Sequence, residues 1–473
     1  MGADPGLLEQ QQTGLLRGRI PMPVTPMTNQ EFSNQLISLA YPGTAPPLVA
    51  CSGGPDSIAL VFLADQWAQT QGMRARAVCV DHGLRAEAGA EAQGVARALN
   101  EYGVVTTVLR HEGRKPVRDI QAAARQIRFR LLTDWVQASD QAYKHIFLAH
   151  HQDDQAETVL LRLARGSGVD GLAAMAPVTQ RDGMTLLRPL LSFPKARLLA
   201  TAQASGLPIV TDPSNGDRAF ARVRMRQMQE SLAAEGLTPE RLGKTAERMA
   251  RAGAALTEAR DRFLNDHVVC DPAGFATCNA ATLCDLPEEI ALRCLSHKLR
   301  ILGGNDYPPR EEHVIALHRA LAQDPMALTG LQGGRTVSGV RIMPWRDHVL
   351  FCRESAGMTG DRAIANRTLW DNRYDCRFAP QAVADPGFTI GPLGRDGLAW
   401  ARERAPQALA ALPGAVRVTL PALRHSADLA AIPHLGLTTG ESAPQDYPIG
   451  TIGYRSVSPA WGEAFRQRFS FSH

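Results

Sequence analysis

The sequence predicts a doubly wound α/β domain with a parallel sheet, followed by a helical domain and a small C-terminal domain of α/β or mostly β structure. Three observations support this prediction. Apolar runs alternate with helical stretches from residue 31 to about 229, a pattern typical of parallel βαβ units. Residues from about 229 to 323 are rich in alanine and arginine and have long helical periodicity. Beyond about residue 329, short β-like pieces alternate with glycine- and proline-rich turns.

The strands of the parallel sheet are predicted at five apolar runs, with helices in the intervals between them. The predicted strands cover residues 48–51, 75–80, 104–109, 145–149 and 186–190. The predicted helices cover residues 57–69, 86–101, 119–138 and 154–164. Farther along the chain, helices are predicted at 242–263 and 288–302, and strands at 336–343, 348–353 and 416–420. Because open parallel sheets bind ligands beyond the carboxyl ends of their strands, we expect the site at that edge.

The chain has 473 residues, which is too long for one hydrophobic core, so several domains are expected. Residues 1–30 are polar and rich in glutamine, proline and glycine. We expect this tail to be either disordered or absent from the native protein. The α/β domain is then predicted at residues 31–228, the helical domain at 229–328 and the C-terminal domain at 329–473.

The composition is that of a soluble globular protein, with 44% hydrophobic residues, 21% charged residues and a net charge of +4. Residues 181–262 carry 14 Lys and Arg against 9 Asp and Glu, which favours contact with a phosphate backbone. A solvated helical surface explains that charge equally well. No apolar stretch reaches the roughly 18 residues of a membrane span. The eight cysteines form no C-x-x-C pair, which argues against a zinc ribbon or metal cluster and indicates a reducing, cytoplasmic setting.

The segment after the first predicted strand has the composition of a loop that binds a polyphosphate. It consists of Ser52, Gly53, Gly54, Pro55, Asp56 and Ser57. Glycines let the backbone approach an anion closely, and the N-terminus of the following helix directs N–H groups at the charge. An ordinary strand–turn–helix corner is the alternative. The segment lacks the lysine of a Walker A loop, so kinase-like cleavage between β- and γ-phosphates is not indicated.

Two further polar groups follow the second and fourth predicted strands. Asp81 and His82 close the second strand, and four residues close the fourth: His150, Asp153, Asp154 and Glu157. Helix capping alone explains adjacent acids at a helix N-terminus. Because this position faces the glycine loop, magnesium binding by Asp56 and Asp154, or recognition of a substrate amine, is the preferred interpretation. Zinc is less favoured, because the cluster has hard oxygen donors and no thiolates.

Five arginines have spacings that suit phosphate binding. Arg125 and Arg128 lie three apart, and Arg222 and Arg226 lie four apart, so each pair shares one helix face. Arg188 lies within the fifth predicted strand. A solvated helix face is the alternative for the paired arginines. The glycines of residues 166–171 match G-x-G-x-x-G but follow a helix, so they do not indicate a dinucleotide site.

These motifs resemble those of a known family. The S-G-G-x-D-S loop is similar to that of the N-type (PP-loop) ATP pyrophosphatases. The runs V-D-H-G-L-R at 80–85 and A-H-H-Q-D-D-Q-A-E-T at 149–158 resemble one branch, the tRNA(Ile)-lysidine synthetases. The run A-R-Q-I-R-F at 124–129 and D-P-S-N at 212–215 extend the resemblance. Val223 stands where that family usually has Asn, and W-D-N-R-Y at 370–374 is only loosely similar to its W-D-x-R-F element.

The resemblance implies a two-step reaction on the wobble cytidine of an isoleucine tRNA with a CAU anticodon. The 2-carbonyl oxygen of cytosine attacks the α-phosphate of ATP, and the amine of free L-lysine then displaces AMP to give lysidine. ATP and Mg²⁺ are the implied cofactors, and residues beyond 228 are implied to position tRNA. A cytidine thiolase of the same superfamily and a catalytically idle tRNA-binding protein are the alternatives. The sequence does not decide whether the protein forms a homodimer.

The resemblance also implies roles for individual residues. The catalytic set is Asp56, Asp153, Asp154, Arg125, Arg128 and His150. Because the lysine amine must lose its proton before it attacks, Asp153 and His150 are the candidate bases. The nucleotide-binding set is Ser52, Gly53, Gly54, Pro55, Asp56, Ser57, Asp81 and His82. The residues assigned to tRNA or lysine are Glu157, Arg188, Arg222 and Arg226. Asp56 and Asp154 are the implied magnesium ligands.

Overall fold

The computed structural model describes residues 24–83, 87–113, 120–139, 143–181, 183–210, 221–323, 334–378, 380–438 and 449–454. The chain divides into two compact units, Met1–Gly253 and Ala254–His473. Each unit is built around its own sheet structure. The domain boundaries predicted at 228/229 and 328/329 stay predictions.

The first unit has a six-stranded sheet and most of the predicted helices. Its strands are β1 (Leu48–Cys51), β2 (Arg76–Asp81), β3 (Val105–Arg110), β4 (His145–Phe147), β5 (Val178–Arg181) and β6 (Met184–Leu187). Its helices are α1 (Asn29–Ser38), α2 (Pro55–Thr70), α3 (Ala88–Tyr102), α4 (Ile120–Ala138), α5 (Gln152–Leu163), α6 (Val169–Leu172), α7 (Lys195–Ala204), α8 (Ala221–Gln227) and α9 (Gln229–Ala234). A long helix, α10 (Pro239–His267), begins in this unit.

The strand order is β3-β2-β1-β4-β6-β5. Parallel pairs join β1 to β2, β1 to β4, β2 to β3 and β4 to β6. The predicted doubly wound parallel sheet is therefore confirmed. The order reverses between β1 and β4, which is the position where open α/β sheets form their ligand crevice. The edge strand β5 is antiparallel to β6 and was not predicted.

The alternation of side chains along the strands divides the core of this unit between two faces of the sheet. Val49 and Ala77 face α1, α2, α3 and α7, in a cluster with Phe32, Leu60, Leu99 and Leu198. Leu48 and Val78 face α4, in a cluster with Phe129, Leu132 and Ile146. Both strands are buried on both faces, which explains why they read as continuous apolar runs.

Residues 24–30 were assigned to the tail, but they pack against the α/β domain. Met27 is buried, and its N–H donates to Thr201 Oγ1 over 2.8 Å. Arg197 of α7 donates to the carbonyl oxygens of Thr25 and Pro26. Helix α1 begins at Asn29 after a capping box, a local signal that the tail prediction overlooked. Residues 1–23 lie outside the described residues.

The second unit is a mixture of sheets and helices. Its strands are β7 (Val268–Asp271), β8 (Phe275–Cys278), β9 (Arg335–Val337), β10 (Val340–Trp345), β11 (His348–Arg353), β12 (Arg362–Ala363), β13 (Arg367–Trp370), β14 (Tyr374–Phe378), β15 (Phe388–Pro392), β16 (Pro421–His425), β17 (Asp428–Ile432), β18 (Leu437–Thr438) and β19 (Ile449–Tyr454). Its helices are α11 (Ala280–Cys284), α12 (Glu288–Leu302), α13 (Glu311–Gln323), α14 (Pro380–Val383), α15 (Gly394–Arg404), α16 (Pro406–Ala411) and α17 (Gly414–Arg417). The strands form three sheets, ordered β7-β8-β11-β10-β9, β12-β15-β16-β17-β18 and β13-β14-β19.

Three sequence predictions for this unit need correction. The region predicted as helical contains the hairpin of β7 and β8, and β8 pairs with β11. The strand predicted at 336–343 is interrupted by a turn at Ser338 and Gly339, both of which have positive φ. The strand predicted at 416–420 is wrong, because the chain forms the one-turn helix α17 there. A short apolar run does not distinguish a buried strand from a buried helical turn.

Among the described helices, we find none with the length and apolar character needed to traverse a lipid bilayer.

Candidate active site

The glycine loop between β1 and α2 has the geometry of an anion-binding turn. Gly53 has φ +81°, a conformation that L side chains rarely adopt. Gly54 is the N-cap of α2, and no side chain accepts a hydrogen bond at this cap. Pro55 follows at the first helical position, where a missing N–H has no cost. The positive end of α2 therefore has N–H groups available for an anion.

Ser57, at the end of the loop, stabilises the loop conformation through hydrogen bonds of its buried hydroxyl. Ser57 is buried, and its Oγ donates to the carbonyl oxygen of Gly54 over 2.9 Å. The same Oγ accepts from the N–H and the Oγ of Ser52, at 3.2 and 3.3 Å. Ser52 is exposed at the loop surface. The geometry thus gives Ser57 a bracing role and leaves Ser52 as the hydroxyl that faces outward.

Neighbouring segments pack tightly around Gly53. A Cβ added to Gly53 would lie 2.8 Å from Val95 Cγ2 of α3. The N–H of Val210, in the segment after α7, donates to the Gly53 carbonyl oxygen over 2.9 Å. The glycine is therefore required both by the backbone angle and by the lack of space.

A buried histidine connects the loop to the end of β4. His151 is 2% exposed, and its Nε2 lies 3.5 Å from both Asp56 Oδ2 and Asp154 Oδ2. Its Nδ1 lies 3.7 Å from Asp153 Oδ2. The parallel pairing of β1 with β4 explains this meeting, since it brings the carboxyl ends of both strands side by side. The structure therefore brings together three of the acids that the sequence selected.

The charge of His151 responds to these neighbours. Burial lowers the pKa of the imidazole, but the hydrogen bond with Asp56 and the charges of Asp154 and Asp153 outweigh burial and raise the pKa above its usual value. Sequence reasoning selected His150 and missed His151. The position of His151 in the sequence could have identified it, because His151 directly precedes α5 and acts as its N-cap.

Asp153 and Asp154 are both engaged in local structure. Asp154 Oδ2 accepts from the N–H of His151 over 3.1 Å, which completes a capping box at α5. Asp153 Oδ2 accepts from the N–H of Lys195 over 2.9 Å, and its Oδ1 accepts from Gln229 Nε2 over 3.3 Å. Both oxygens of Asp153 are thus occupied. Each of these hydrogen bonds connects the start of α5 to another segment of the chain.

Asp56 is the acid best placed to hold a cation. Its Oδ1 is buried and has no hydrogen-bond partner, while Oδ2 faces His151. Such an orphaned oxygen beside an anion-binding loop fits a divalent cation. Within the described part of the chain, no group of three or more His, Cys, Asp and Glu residues could hold a metal ion. Mg²⁺ commonly uses one or two carboxylates and completes its shell with substrate phosphates and water, so the donor set fits.

His150 lies in a cationic environment, unlike its neighbour. Burial lowers the pKa of His150 to about 3, and the charges of Arg188, Arg125, Arg222 and Arg128 add to this effect. Its Nδ1 is buried without a hydrogen-bond partner. Four of the five arginines that the sequence selected thus contribute positive charge at a neutral imidazole. Such a concentration of positive charge favours a bound anion.

An aromatic ring supports one side of this arginine group. Phe129 is buried, and the guanidinium carbons of Arg125 and Arg181 lie 5.2 and 4.3 Å from its centroid. Burial lowers the pKa of Arg125, and the nearby charges of Arg222, Arg128 and Arg181 lower it further. Burial also lowers the pKa of Arg128. Mutual repulsion among these cations is relieved when an anion binds between them.

Arg188 is the most buried arginine of the group. It is 5% exposed, and its NH1 donates to the Ala176 carbonyl oxygen and to Thr179 Oγ1. Its Nε is buried and has no hydrogen-bond partner. Burial lowers the pKa of Arg188 to about 10, and Arg125 contributes to this shift. One edge of this guanidinium is fixed by the protein, which leaves the Nε side for another acceptor.

Glu157 and Arg226 form an ion pair between α5 and α8. Glu157 is buried, and its Oε1 lies 2.9 Å from Arg226 Nε and 2.8 Å from Arg226 NH2. Its Oε2 is buried without a hydrogen-bond partner. Burial raises the pKa of Glu157, although Arg226 opposes the shift. Arg222 lies exposed on α8, one turn from Arg226.

Asp81 and His82 lie at the end of β2, next to β1 in the sheet. Asp81 Oδ1 accepts from the N–H of Gly83 over 2.8 Å, so this acid closes a turn. Burial lowers the pKa of His82 to about 4, with a further contribution from Arg128. His82 therefore borders the arginine group. Leu84, Arg85 and the motif residues 212–215 lie outside the described residues.

The W-D-N-R-Y element of the second unit is structural. It forms the turn between β13 and β14. Asp371 is buried and accepts from Arg353 Nε over 3.1 Å and from Arg373 Nε over 2.7 Å. Asp371 and Asn372 have positive φ, as a tight hairpin turn requires. This element holds two guanidinium groups in the core of that unit.

The chain is similar to several known proteins. A family model described as a PP-loop domain matches residues 28–231. The tRNA(Ile)-lysidine synthase of Bradyrhizobium diazoefficiens is 46% identical over 269 residues, which cover 55% of this chain and 74% of the relative. The enzyme of the same name from Rhodopseudomonas palustris is 42% identical over 68% of this chain and 90% of its own length. That from Ruegeria pomeroyi is 35% identical over 86% of this chain and 94% of its own length.

Proposed function

Because this chain belongs to the tRNA(Ile)-lysidine synthase family, we propose that it converts the wobble cytidine of CAU-anticodon isoleucine tRNA to lysidine. ATP and free L-lysine are the other substrates, and AMP and pyrophosphate are released. The observation that carries the proposal is the contact of His151 with Asp56 and Asp154, because it unites the phosphate loop with the acids that follow β4. Residues 31–228 form the catalytic domain in this proposal.

The loop after β1 would bind the phosphates of ATP. The N–H groups at the start of α2 and the hydroxyl of Ser52 are its donors, and Gly53 and Gly54 give the anion close access. Asp81 and His82 border the same edge of the sheet. Asp56 and Asp154 would hold Mg²⁺, which supplies positive charge against the pyrophosphate leaving group.

The arginine group would stabilise the charge that develops at the α-phosphate. Arg125, Arg128 and Arg188 all contribute positive charge at His150, and burial lowers their own pKa values. Preorganised cations in a partly dry site lower the barrier most where negative charge grows. His150 contributes a neutral imidazole, which can donate or accept a hydrogen bond without adding charge.

The lysine amine must lose a proton before it attacks, and the structure favours one carboxylate for that step. Glu157 has a buried oxygen without a partner and a pKa raised by burial, so it is a stronger base than an ordinary glutamate. Asp153 uses both oxygens in hydrogen bonds. The pKa of His150, about 3, makes its imidazole a weak base. We therefore assign the amine proton to Glu157, in place of Asp153 or His150.

The proposal extends to the remaining regions of the chain. The helical residues 229–328 would position tRNA, and residues 329–473 would contact it. An anticodon base is single-stranded and can be turned out of its stack, which suits a pocket at a sheet edge. The cytidine thiolase alternative is not favoured, because such enzymes typically need a C-x-x-C pair and the sequence has none.

Mass spectrometry of nucleosides tests the function directly. The full chain is incubated with a CAU-anticodon isoleucine tRNA transcript, ATP, Mg²⁺ and L-lysine, and the digested tRNA is examined for lysidine. Lysidine is expected only when both ATP and lysine are present, and a transcript with uridine at the wobble position is the matched control. Asp56→Asn is expected to abolish the product. Failure of the wild-type chain to form lysidine contradicts the proposal.

A further inference from the structure

Four basic side chains form a continuous row on the first part of α10. Arg241, Lys244, Arg248 and Arg251 are spaced three, four and three residues apart, so they lie on one helix face. All four are exposed. We call this row the basic stripe. It covers about 15 Å along the helix axis, which is the length of several consecutive phosphates in one nucleic-acid strand.

The opposite face of this helix packs on the catalytic helix α5. Leu242 and Ala246 are buried in one cluster with Ala156 and Val159. A Cβ added to Gly243 would lie 4.0 Å from Gln152 Cγ, at the first residue of α5. The basic stripe is therefore on the outer side of a helix whose inner side contacts the helix of Asp154. A helix is about 10 Å across, so the stripe is close to the site but separate from it.

The two ends of the basic stripe differ in the hydrogen bonds and ion pairs that their side chains form. Arg241 NH1 donates to the Gly236 carbonyl oxygen over 3.2 Å, and Lys244 forms an ion pair with Glu240 at 2.6 Å. Arg248 and Arg251 form no ion pair with any residue that the structure describes. Ion pairs between residues one turn apart stabilise surface helices, but Glu247, four residues before Arg251, forms no ion pair with Arg251. Here two adjacent guanidinium groups face solvent, which leaves their charge available.

We propose that the basic stripe binds phosphate groups of the tRNA substrate and holds it against the catalytic domain. The inference rests on the proposed function for the identity of the nucleic acid. Exposed arginines on a rigid helix contact phosphates without reading sequence, so they contribute affinity and position. The basic stripe contributes four of the 14 Lys and Arg residues between residues 181 and 262.

The test compares tRNA binding by a variant that lacks the two unpaired charges with tRNA binding by a variant that lacks two charges elsewhere on the protein. The variant is Arg248→Gln with Arg251→Gln, since glutamine keeps helix propensity and most of the side-chain stem. The matched control is Arg97→Gln on α3 with Arg130→Gln on α4, both of which are exposed. Both proteins lose the same net charge. Binding of a fluorescently labelled isoleucine tRNA transcript is measured by anisotropy from about 50 to 200 mM KCl.

The stripe variant is expected to bind tRNA about tenfold more weakly at about 100 mM salt. The magnitude of the slope of log K against log salt is expected to fall by about one to two. The control is expected to stay close to wild type. Equal weakening of both variants would mean that binding follows net charge, and no weakening of the stripe variant would mean that the stripe makes no contact. Either result overturns the proposal. Unfolding curves should be unchanged, because the side chains are exposed.

Lysidine formation separates this inference from the proposed function. In the stripe variant the KM for tRNA is expected to rise while kcat stays near wild type, because the stripe touches no reacting atom. An unchanged KM for tRNA, or a loss confined to kcat, contradicts the inference. If the wild-type chain binds tRNA through the stripe but forms no lysidine, the proposed function is refuted and the proposal that the stripe binds tRNA still holds.

Discussion

Individual residues of the phosphate loop are constrained by backbone angle and by space. Gly53 has a φ of +81° and is in contact with α3. Gly53→Ala should therefore destabilise the protein by about 1–3 kcal/mol and reduce pyrophosphate release at least about tenfold. Gly54→Ala is the matched control for stability, because Gly54 has φ −70° and an added Cβ would lie 3.6 Å from Ser52 Oγ. Urea unfolding and a pyrophosphate assay measure both effects, and equal stability of the two variants would refute the argument.

The protonation of His151 gives the fold a pH dependence. A residue whose pKa is raised by folding adds stability below its unfolded pKa, about 6.5, and this stability is lost as pH rises through the folded pKa. The stability difference between wild type and His151→Gln should therefore be largest near pH 6 and smaller near pH 9. Urea unfolding in the presence of a chelator measures it. A difference that grows with pH would show that His151 is neutral among its acids.

The two adjacent histidines show how far residue-level prediction extends. The sequence identified the polar segment 150–157 and its association with the glycine loop. It did not distinguish His150 from His151, because both follow the same strand and have the same chemistry. The distinction depends on tertiary packing, which directs His151 toward Asp56 and leaves His150 among arginines.

At the scale of elements, apolar strands were predictable and short polar strands were not. Strands β1, β2 and β4 are largely buried, so their apolar runs are conspicuous in the sequence. Strand β5 is an edge strand with the sequence Val-Thr-Gln-Arg, and its exposure alternates with partial burial. The hairpin of β7 and β8 consists of two four-residue strands, and the partner of β8 in the sheet, β11, is distant in sequence. Local periodicity carries no information about such long-range pairing.

The docking of α1 on α7 offers a test at the same scale. Glu31 pairs with Arg197 through two contacts of 2.8 Å, and these hydrogen bonds lower the pKa of Glu31 to about 2. Glu31→Gln should destabilise the protein by about 1 kcal/mol or less near neutral pH, because the pair is partly exposed to solvent. A group with a lowered pKa stabilises above its unfolded pKa and loses this contribution as pH falls.

The effect of Glu31→Gln should therefore disappear as pH falls from about 4.5 to about 2. Protease cleavage before α1 should also become faster near neutral pH, since Arg197 would lose the acid that orients it toward Thr25 and Pro26. Arg197→Gln should produce the same change, and the double variant should add little to it. Full additivity of the two substitutions would show that the pair contributes no coupling energy.

At the scale of the whole molecule, the residues assigned to ATP lie in one unit, and a separate buried ion cluster lies in the other. Every residue assigned to ATP lies within Met1–Gly253, whereas Asp371 with Arg353 and Arg373 lies within Ala254–His473. Removing the carboxylate of a buried ion cluster leaves two unpaired guanidinium groups and costs roughly 3–5 kcal/mol. Asp371→Ala should therefore destabilise the second unit strongly.

The same substitution should leave the ATP site of the first unit intact. Calorimetry of the full chain, with and without ATP and Mg²⁺, distinguishes the two units, because a ligand raises the melting temperature only of the unit that binds it. In Asp371→Ala, the transition that ATP does not shift should move to lower temperature, and the transition that ATP stabilises should keep its response. Thr359→Ala is the control, since only the backbone N–H of that residue reaches Asp371. Loss of the ATP response in Asp371→Ala would mean that the second unit is required for nucleotide binding.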